Sequence, residues 1–325
     1  MPIDRERSPG MKLLFVAMVA AVLTIPLMLV YALVYDRQDQ SQTAQAAIAA
    51  GWGGPQVVSG PVVVVPFRTT QSQTEDVNGR SVTRTVEVEK LLYISPVENR
   101  ATTAIDPQER QKSIYRSVLY EAKVAGTASF ALPADLERFG VTRERLLWDR
   151  AELRMGASDA RGLTEGGSLK VDGTPLALQP GKGPAASGGQ GFFAFLPWSG
   201  EGTIAVDYAF GLRGSGSLSL VPRGGSTRWT VKSSWSAPSF GGAFLPAKPA
   251  SGEQGFPAHY TIDKLALGQA PVMMEDPGPP QIDTGPGQPY ASSVAMEAAS
   301  SARNPASGGA SEIIGAPARA VCHRP

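Results

Sequence analysis

Cysteine is nearly missing from this chain: Cys322 is the single one, close to the C-terminal end. No disulfide can therefore form within one chain, and no cysteine-based metal site can be assembled. Histidine is almost as scarce, with only His259 and His323, so any His-based triad or metal cluster would have to be built around one imidazole. His259 follows Ala258 in a strand-like stretch and reads as a polar strand position. An excess of either charge is also lacking, because the formal net charge is +1 and the two signs are interspersed. That removes the electrostatic footprint of a nucleic-acid binder. Phosphate-cradling patterns are absent too. Gly188-Gly189-Gln190-Gly191 and Gly211-Leu212-Arg213-Gly214-Ser215-Gly216 are glycine-rich, yet neither follows a strand and opens a helix as a nucleotide loop must. Both read as hairpin turns, and no cofactor is expected.

Against these absences stands one long apolar run. Leu13 to Tyr35 carries no charge; as a helix rising ~1.5 Å per residue it is roughly 35 Å long, enough to cross a hydrocarbon core of about 30 Å. The lipid bilayer is thus the first partner the sequence implies. Thr24 and Pro26 lie in mid-span, where proline removes one helical hydrogen bond and a threonine hydroxyl can help satisfy the backbone. Arg5, Arg7 and Lys12 precede the run, whereas Asp36, Arg37 and Asp39 follow it. The positive-inside rule then predicts a cytoplasmic N-terminus, with everything after Tyr35 outside. Ala44-Gln45-Ala46 offers a small-x-small form compatible with signal-peptide cleavage, but the apolar run exceeds the h-region of about 7–15 residues. A retained anchor is the reading adopted.

Residues 36–56 are rich in Gln and Ala and end in Gly51-Trp52-Gly53-Gly54-Pro55, which predicts a helical linker that stops there. The period then changes. Val57 to Phe67 is β-branched and bounded by Gly and Pro, the pattern of a buried strand. Val82, Arg84, Val86, Val88 and Lys90 alternate with Thr and Glu as in a half-buried strand, after a hairpin turn at Val77-Asn78-Gly79-Arg80. Comparable strand signals recur from Ser113 to about residue 265, with an Asp172-Gly173 turn among them. Pro133 to Gly140 reads as a short capped helical turn with a glycine stop. An antiparallel β-sandwich-like domain is predicted for 57–268, membrane-anchored and mainly β. Beyond it, 269–325 is Pro-, Gly-, Ser- and Ala-rich, too poor in apolar residues to offset its ordering entropy, and is predicted to be disordered.

Candidate chemistry is thin. Asp159 and Arg161, in Ser158-Asp159-Ala160-Arg161-Gly162, follow the strand-like Trp148–Gly156, where an Asp-x-Arg turn commonly satisfies backbone groups. A ligand or catalytic role for this pair is the alternative. Trp229, Trp235, Phe240 and Phe244 suit packing at a sheet edge better than a cofactor pocket, and Trp148 and Trp235 are predicted core residues.

Several of these stretches resemble a known family. Trp52-Gly53, Ser59-Gly60-Pro61-Val62, Ser113-Ile114-Tyr115 with Val118-Leu119-Tyr120, and Trp148 through Gly162 occur in order. Gly191-Phe192-Phe193-Ala194, Leu212-Arg213-Gly214-Ser215 with Pro222, and Ser234-Trp235 through Phe244-Leu245-Pro246 follow. Together, over about residues 12–265, the chain resembles the CreD-type inner-membrane proteins of Gram-negative bacteria. The resemblance implies a cell inner membrane location and a non-enzymatic part in envelope integrity, in envelope stress or in antibiotic or colicin tolerance. It supplies no catalytic residues. The family usually carries histidine where Phe193 and Ala237 stand here. Its members continue into several membrane helices where this chain has a polar tail, so a shifted reading frame or truncation is the expectation for that end. Two other readings remain open: a hydrolase or transferase of envelope polymers using a Ser or an Asp such as Asp159, and an assembly subunit whose exposed strand edge recruits a periplasmic or membrane protein.

Overall fold

A computed structural model describes residues 9–298 except 50, 78–79, 113–114, 165, 237, 248–251, 253, 279–280, 284–288 and 292–293. Helix α1, Pro9–Ala49, contains the apolar window Leu13–Arg37, with a mean hydropathy of 2.8 and none of it buried in the protein. It is long and apolar enough to cross a membrane, and it passes through Pro26. The Thr24 hydroxyl donates to the Ala20 carbonyl at 2.8 Å, not to the Val22 carbonyl that Pro26 leaves without its helical N–H.

The strands that follow are β1 Gln56–Val77, β2 Arg80–Ile94, β3 Glu98–Lys112, β4 Tyr115–Ala131, β5 Glu152–Ala157, β6 Ser168–Val171, β7 Thr174–Pro175, β8 Gln179–Pro180, β9 Gly191–Phe195, β10 Thr203–Ser215, β11 Ser217–Val221, β12 Ser226–Ser233, β13 Pro238–Gly241, β14 Phe256–Ile262 and β15 Val272–Met273. A short ribbon, β16 Gln281–Asp283 with β17 Pro289–Ala291, precedes β18 Val294–Ala298. Among the described residues the first sheet runs β13-β18-β11-β1-β5-β9-β8, with β2 also on β1 and β15 on β2; the second runs β14-β12-β3-β4-β10-β6-β7.

The core lies where these sheets meet. Val63, Val65, Phe67, Leu92, Leu153 and Met155 from the first join Val124, Phe130, Val206, Leu212, Trp229 and Tyr260 from the second in one buried cluster. Residues i and i+2 of a strand share a face, and β10 follows that rule strictly, with Ile204, Val206, Tyr208, Phe210 and Leu212 buried between more exposed neighbours. β1 instead buries both parities from Val62 to Val65, as its unbroken valine run predicted. The sandwich is mixed rather than wholly antiparallel, because β1 pairs with β11 and β3 with β12 in parallel.

Several details differ from expectation. Trp148 and Trp235 are only partly buried against the core; the fully buried tryptophan is Trp229, at 2% exposure. Gly211 and Gly214 are not in a turn but inside β10, and only Gly216, with φ 74°, makes the bend into β11. A Cβ at Gly214 would fall 2.2 Å from the Tyr120 hydroxyl, so the glycine is required by close packing. Gly188 and Gly189 lie in the long loop that joins β8 to its antiparallel neighbour β9, a wider connection than a tight hairpin turn, and Gly191 opens β9. Asp135 makes no side-chain cap at the Leu136–Phe139 turn, although Gly140 ends it in the left-handed conformation.

The Asp172-Gly173 turn stands as predicted, with φ 47° and 81° between the pair Val171 and Thr174. Val77 pairs with Arg80, while Asn78 and Gly79 lie outside the described residues. Folded structure continues past Gly268. Val272, 2% exposed, pairs with Ile94, and the buried Arg223 forms an ion pair with Asp276. A guanidinium that deep needs a counter-charge, and this stretch of chain brings it. Residues 299–325, including Cys322 and His323, lie outside the described residues.

Candidate functional site: the anchor–domain junction

The Asp159–Arg161 turn sits where the chain leaves the anchor helix. Leaving β5, Ser158 donates its backbone N–H to the Val57 carbonyl at 3.1 Å, and its hydroxyl accepts from the Val57 N–H at 2.8 Å. The same hydroxyl donates to the Pro55 carbonyl at 3.2 Å. Asp159 then caps the single turn Ala160–Gly162: Oδ1 accepts the Arg161 backbone N–H at 3.1 Å. Oδ2 accepts the Gly54 N–H at 3.0 Å, far along the sequence. The Arg161 guanidinium grips the carboxylate as a fork, Nε to Oδ1 at 2.9 Å and Nη2 to Oδ2 at 2.7 Å.

Beneath the turn lies Gln56, fully buried. Its amide donates to the carbonyls of Asp159 at 3.0 Å and Arg213 at 2.9 Å, and its carbonyl accepts the Asp159 N–H at 3.2 Å. Glycines make this closeness possible. A Cβ at Gly162 would lie 2.2 Å from the Arg213 carbonyl, and one at Gly53 would lie 2.7 Å from it. The Trp52 indole donates to the Tyr120 carbonyl at 3.2 Å, and the Arg213 guanidinium stands 4.6 Å from its ring centroid. Tyr120 donates to the Ser217 carbonyl at 2.7 Å. The first residues after the anchor are thus fastened to β4, β5, β10 and β11 together.

The charge state of Asp159 follows from these contacts. The Arg161 guanidinium, helped by the N–H groups of Gly54 and Arg161 and opposed by partial burial, holds its carboxyl down to about 2. General acid–base catalysis is best served by a group that titrates near the operating pH; this carboxylate stays ionised and accepts hydrogen bonds, the chemistry of a latch. The folded-state pKa is depressed, so the stability it contributes is present above the ordinary carboxylate pKa of about 4 and is lost as the pH falls toward 2. Asp159→Asn is expected to lower stability at pH 7 by on the order of 1–2 kcal/mol after allowance for solvent screening. Urea titrations of the detergent-solubilised chain test this. The difference between variant and parent should close between about pH 4 and 2, and a difference independent of pH would separate the loss from ionisation.

The other sequence candidates do not join this site. His259 is an exposed residue of β14 with Nδ1 3.3 Å from the Thr230 hydroxyl, as the polar strand reading expected. Phe193 belongs to β9 and lies under the Lys182 ammonium, 4.6 Å from its ring centroid, and Ala237 lies outside the described residues. Among the described residues no group of His, Cys, Asp or Glu has the arrangement of a metal site. The turn is legible in the sequence and Gln56 is not, its only signal being a polar residue ahead of the valine-rich first half of β1.

The sequence model of a family described as inner membrane protein CreD matches residues 8–285. The inner membrane protein CreD of Escherichia coli (strain K12) is 30% identical over 246 residues, which cover 74% of this chain and 52% of that protein. The chain therefore spans about half the length of this relative. A crystal structure from Parabacteroides distasonis ATCC 8503 is similar over 62% of this chain and 40% of its own, at 9% identity and a TM-score of 0.26. That likeness is too slight to bear on fold or chemistry.

Proposed function

This chain belongs to the CreD family of inner membrane proteins, and on that premise we propose that it is a non-enzymatic envelope protein: a membrane anchor that holds a periplasmic β-sandwich for binding and support, with a role in envelope stress or in antibiotic or colicin tolerance. The observation that carries this reading is the junction. Asp159 and Gln56 spend their polar atoms on joining the end of the anchor segment to the strands, which suits a part that holds a domain at a fixed place on a membrane. Orientation is supported by the flanking charges, Arg5, Arg7 and Lys12 before the span and Asp36 and Asp39 after it.

A reporter enzyme that is active only outside the cytoplasm, fused after residue 265, is expected to be active in cells. A silent reporter in stably expressed protein would reverse the topology. Cells lacking their own relative and expressing this chain are expected to gain tolerance to a colicin or a cell-wall antibiotic. Turnover of peptidoglycan or its lipid precursors by the purified protein, abolished in Asp159→Ala, would replace this reading with the hydrolase or transferase one.

A further inference from the structure

The outer face of the second sheet carries a trough of about 910 Å³ whose lining includes Ala104, Lys123, Ala125, Ala209, Gly211 and Lys232. Strand register defines its floor. One row across the strands reads Lys232, Ala104, Lys123, Gly211, and the adjacent row reads Thr230, Thr102, Ala125, Ala209. Alanine and glycine are depleted from strands, where β-branched side chains pack better, yet here they occupy the middle of central strands on the face away from the core. Ala104 and Ala125 are exposed there. A floor that ends at Cβ lets another chain approach the sheet closely. Thr164 closes the trough over β10: its N–H donates to the Gly211 carbonyl at 3.0 Å and its hydroxyl would lie 1.9 Å from a Cβ at Gly211, so the open floor is Ala104, Ala125 and Ala209.

The charges along the trough are specific. Lys123 and Lys232 flank Ala104 two strands apart, roughly 9–10 Å between backbones at about 4.8 Å per strand. Both are exposed, and neither forms an ion pair among the described residues. In the next row Glu121 is engaged by Arg213 at 3.1 Å, whereas Asp106, opposite Glu121, is exposed without a cationic partner among the described residues. Two free ammonium groups over a low floor, with one free carboxylate beside them, complement a ligand that carries two anions and a cation.

We propose that this trough binds an extended peptide with two carboxylates about 7–10 Å apart, the spacing of residues two or three positions apart in an extended chain, and with an amine that reaches Asp106. Each carboxylate meets one lysine, and the peptide backbone lies over Ala104, Ala125 and Ala209. This deepens the binding role proposed above. Its test is made on purified protein, so a failure to bind leaves the topology and tolerance experiments standing on their own.

The probe is a pentapeptide with one glutamate, one lysine and free termini, titrated by calorimetry into the full-length chain in detergent. Its control has glutamine in place of glutamate and an amidated C-terminus. The charged peptide is expected to bind at least tenfold more tightly than the control, and less tightly as salt rises. The double variant Lys123→Ala, Lys232→Ala is expected to remove that preference, and Ala125→Phe, which fills the trough, to abolish binding. Lys123→Arg should retain it. Equal affinity for the two peptides, absence of binding, or an unchanged affinity in a folded double variant would overturn the proposal.

Discussion

Trp229→Ala is expected to cost about 3–5 kcal/mol of folding stability, the range for deleting a large buried aromatic. Trp229 is 2% exposed and stacks on Tyr260 with ring centroids 5.2 Å apart and planes at 24°. Its indole N–H donates to the Thr103 hydroxyl at 2.9 Å, and Thr103 is itself buried, at 1% exposure. Truncation therefore opens a cavity between β3, β12 and β14 and also orphans a hydroxyl that water cannot reach. Domains of this size are stable by roughly 5–15 kcal/mol, so the loss is a large share of the total. Trp229→Phe separates the two causes: it keeps most of the stacking and should cost about 1–2 kcal/mol for the missing hydrogen bond. Trp148, half-buried and edge-on to Trp198 at 5.4 Å, is the comparison, and its alanine variant should fall well below the Trp229 loss. Urea midpoints of the three variants decide the ordering, and a Trp229→Ala cost under about 1 kcal/mol would place that ring outside the load-carrying core.

What the sequence made legible was whatever a local pattern can carry. The anchor was readable because a hydrocarbon solvent imposes composition alone, and Leu13–Arg37 meets it. Hairpins were readable from alternation and turn chemistry, as at Asp172-Gly173. Strand β3 was missed because Thr102 and Thr103 blur its alternation and Pro107 argues against a central strand. The structure resolves that conflict: β12 stops opposite Ile105, so at Pro107 β3 pairs, among the described residues, with β4 alone. The parallel pairings of β1 with β11 and of β3 with β12 left no trace, since register between strands so distant in sequence has no local signature. Burial of individual tryptophans depends on parity within such pairings, which is why Trp148 and Trp235 were placed too deep. Gly211 and Gly214 looked like turn residues because the neighbours that forbid a side chain there, Thr164 and Tyr120, are supplied by other parts of the chain. The Asp159–Arg161 turn was visible as a local fork, but the contacts that make it a junction reach Gly54 and Gln56 across the fold.

Gln56→Leu is expected to cost on the order of 2–4 kcal/mol, because it leaves two backbone groups that face the buried Gln56 amide without that partner at about 1–3 kcal/mol each and weakens a third, less the gain from burying leucine. The two are the Arg213 carbonyl and the Asp159 N–H; the third, the Asp159 carbonyl, keeps the Gly162 N–H at 3.0 Å. The shape of the side chain is nearly conserved, so the loss comes from hydrogen bonding and not from a void. The damage should also be local. Amide hydrogen exchange at Gly54 and Asp159 is expected to quicken by more than the global loss of stability explains, since the junction opens before the sandwich does. Trp229, in the far part of the second sheet, should keep its emission. The same variant bears on function, because a domain released from its anchor geometry still folds and still sits at the membrane but no longer holds a fixed position there. Colicin or antibiotic tolerance is expected to fall in cells expressing Gln56→Leu at parental levels. Stability and exchange indistinguishable from the parent would show that Gln56 is not part of the joint, and tolerance retained despite a loosened junction would detach the latch from the envelope role.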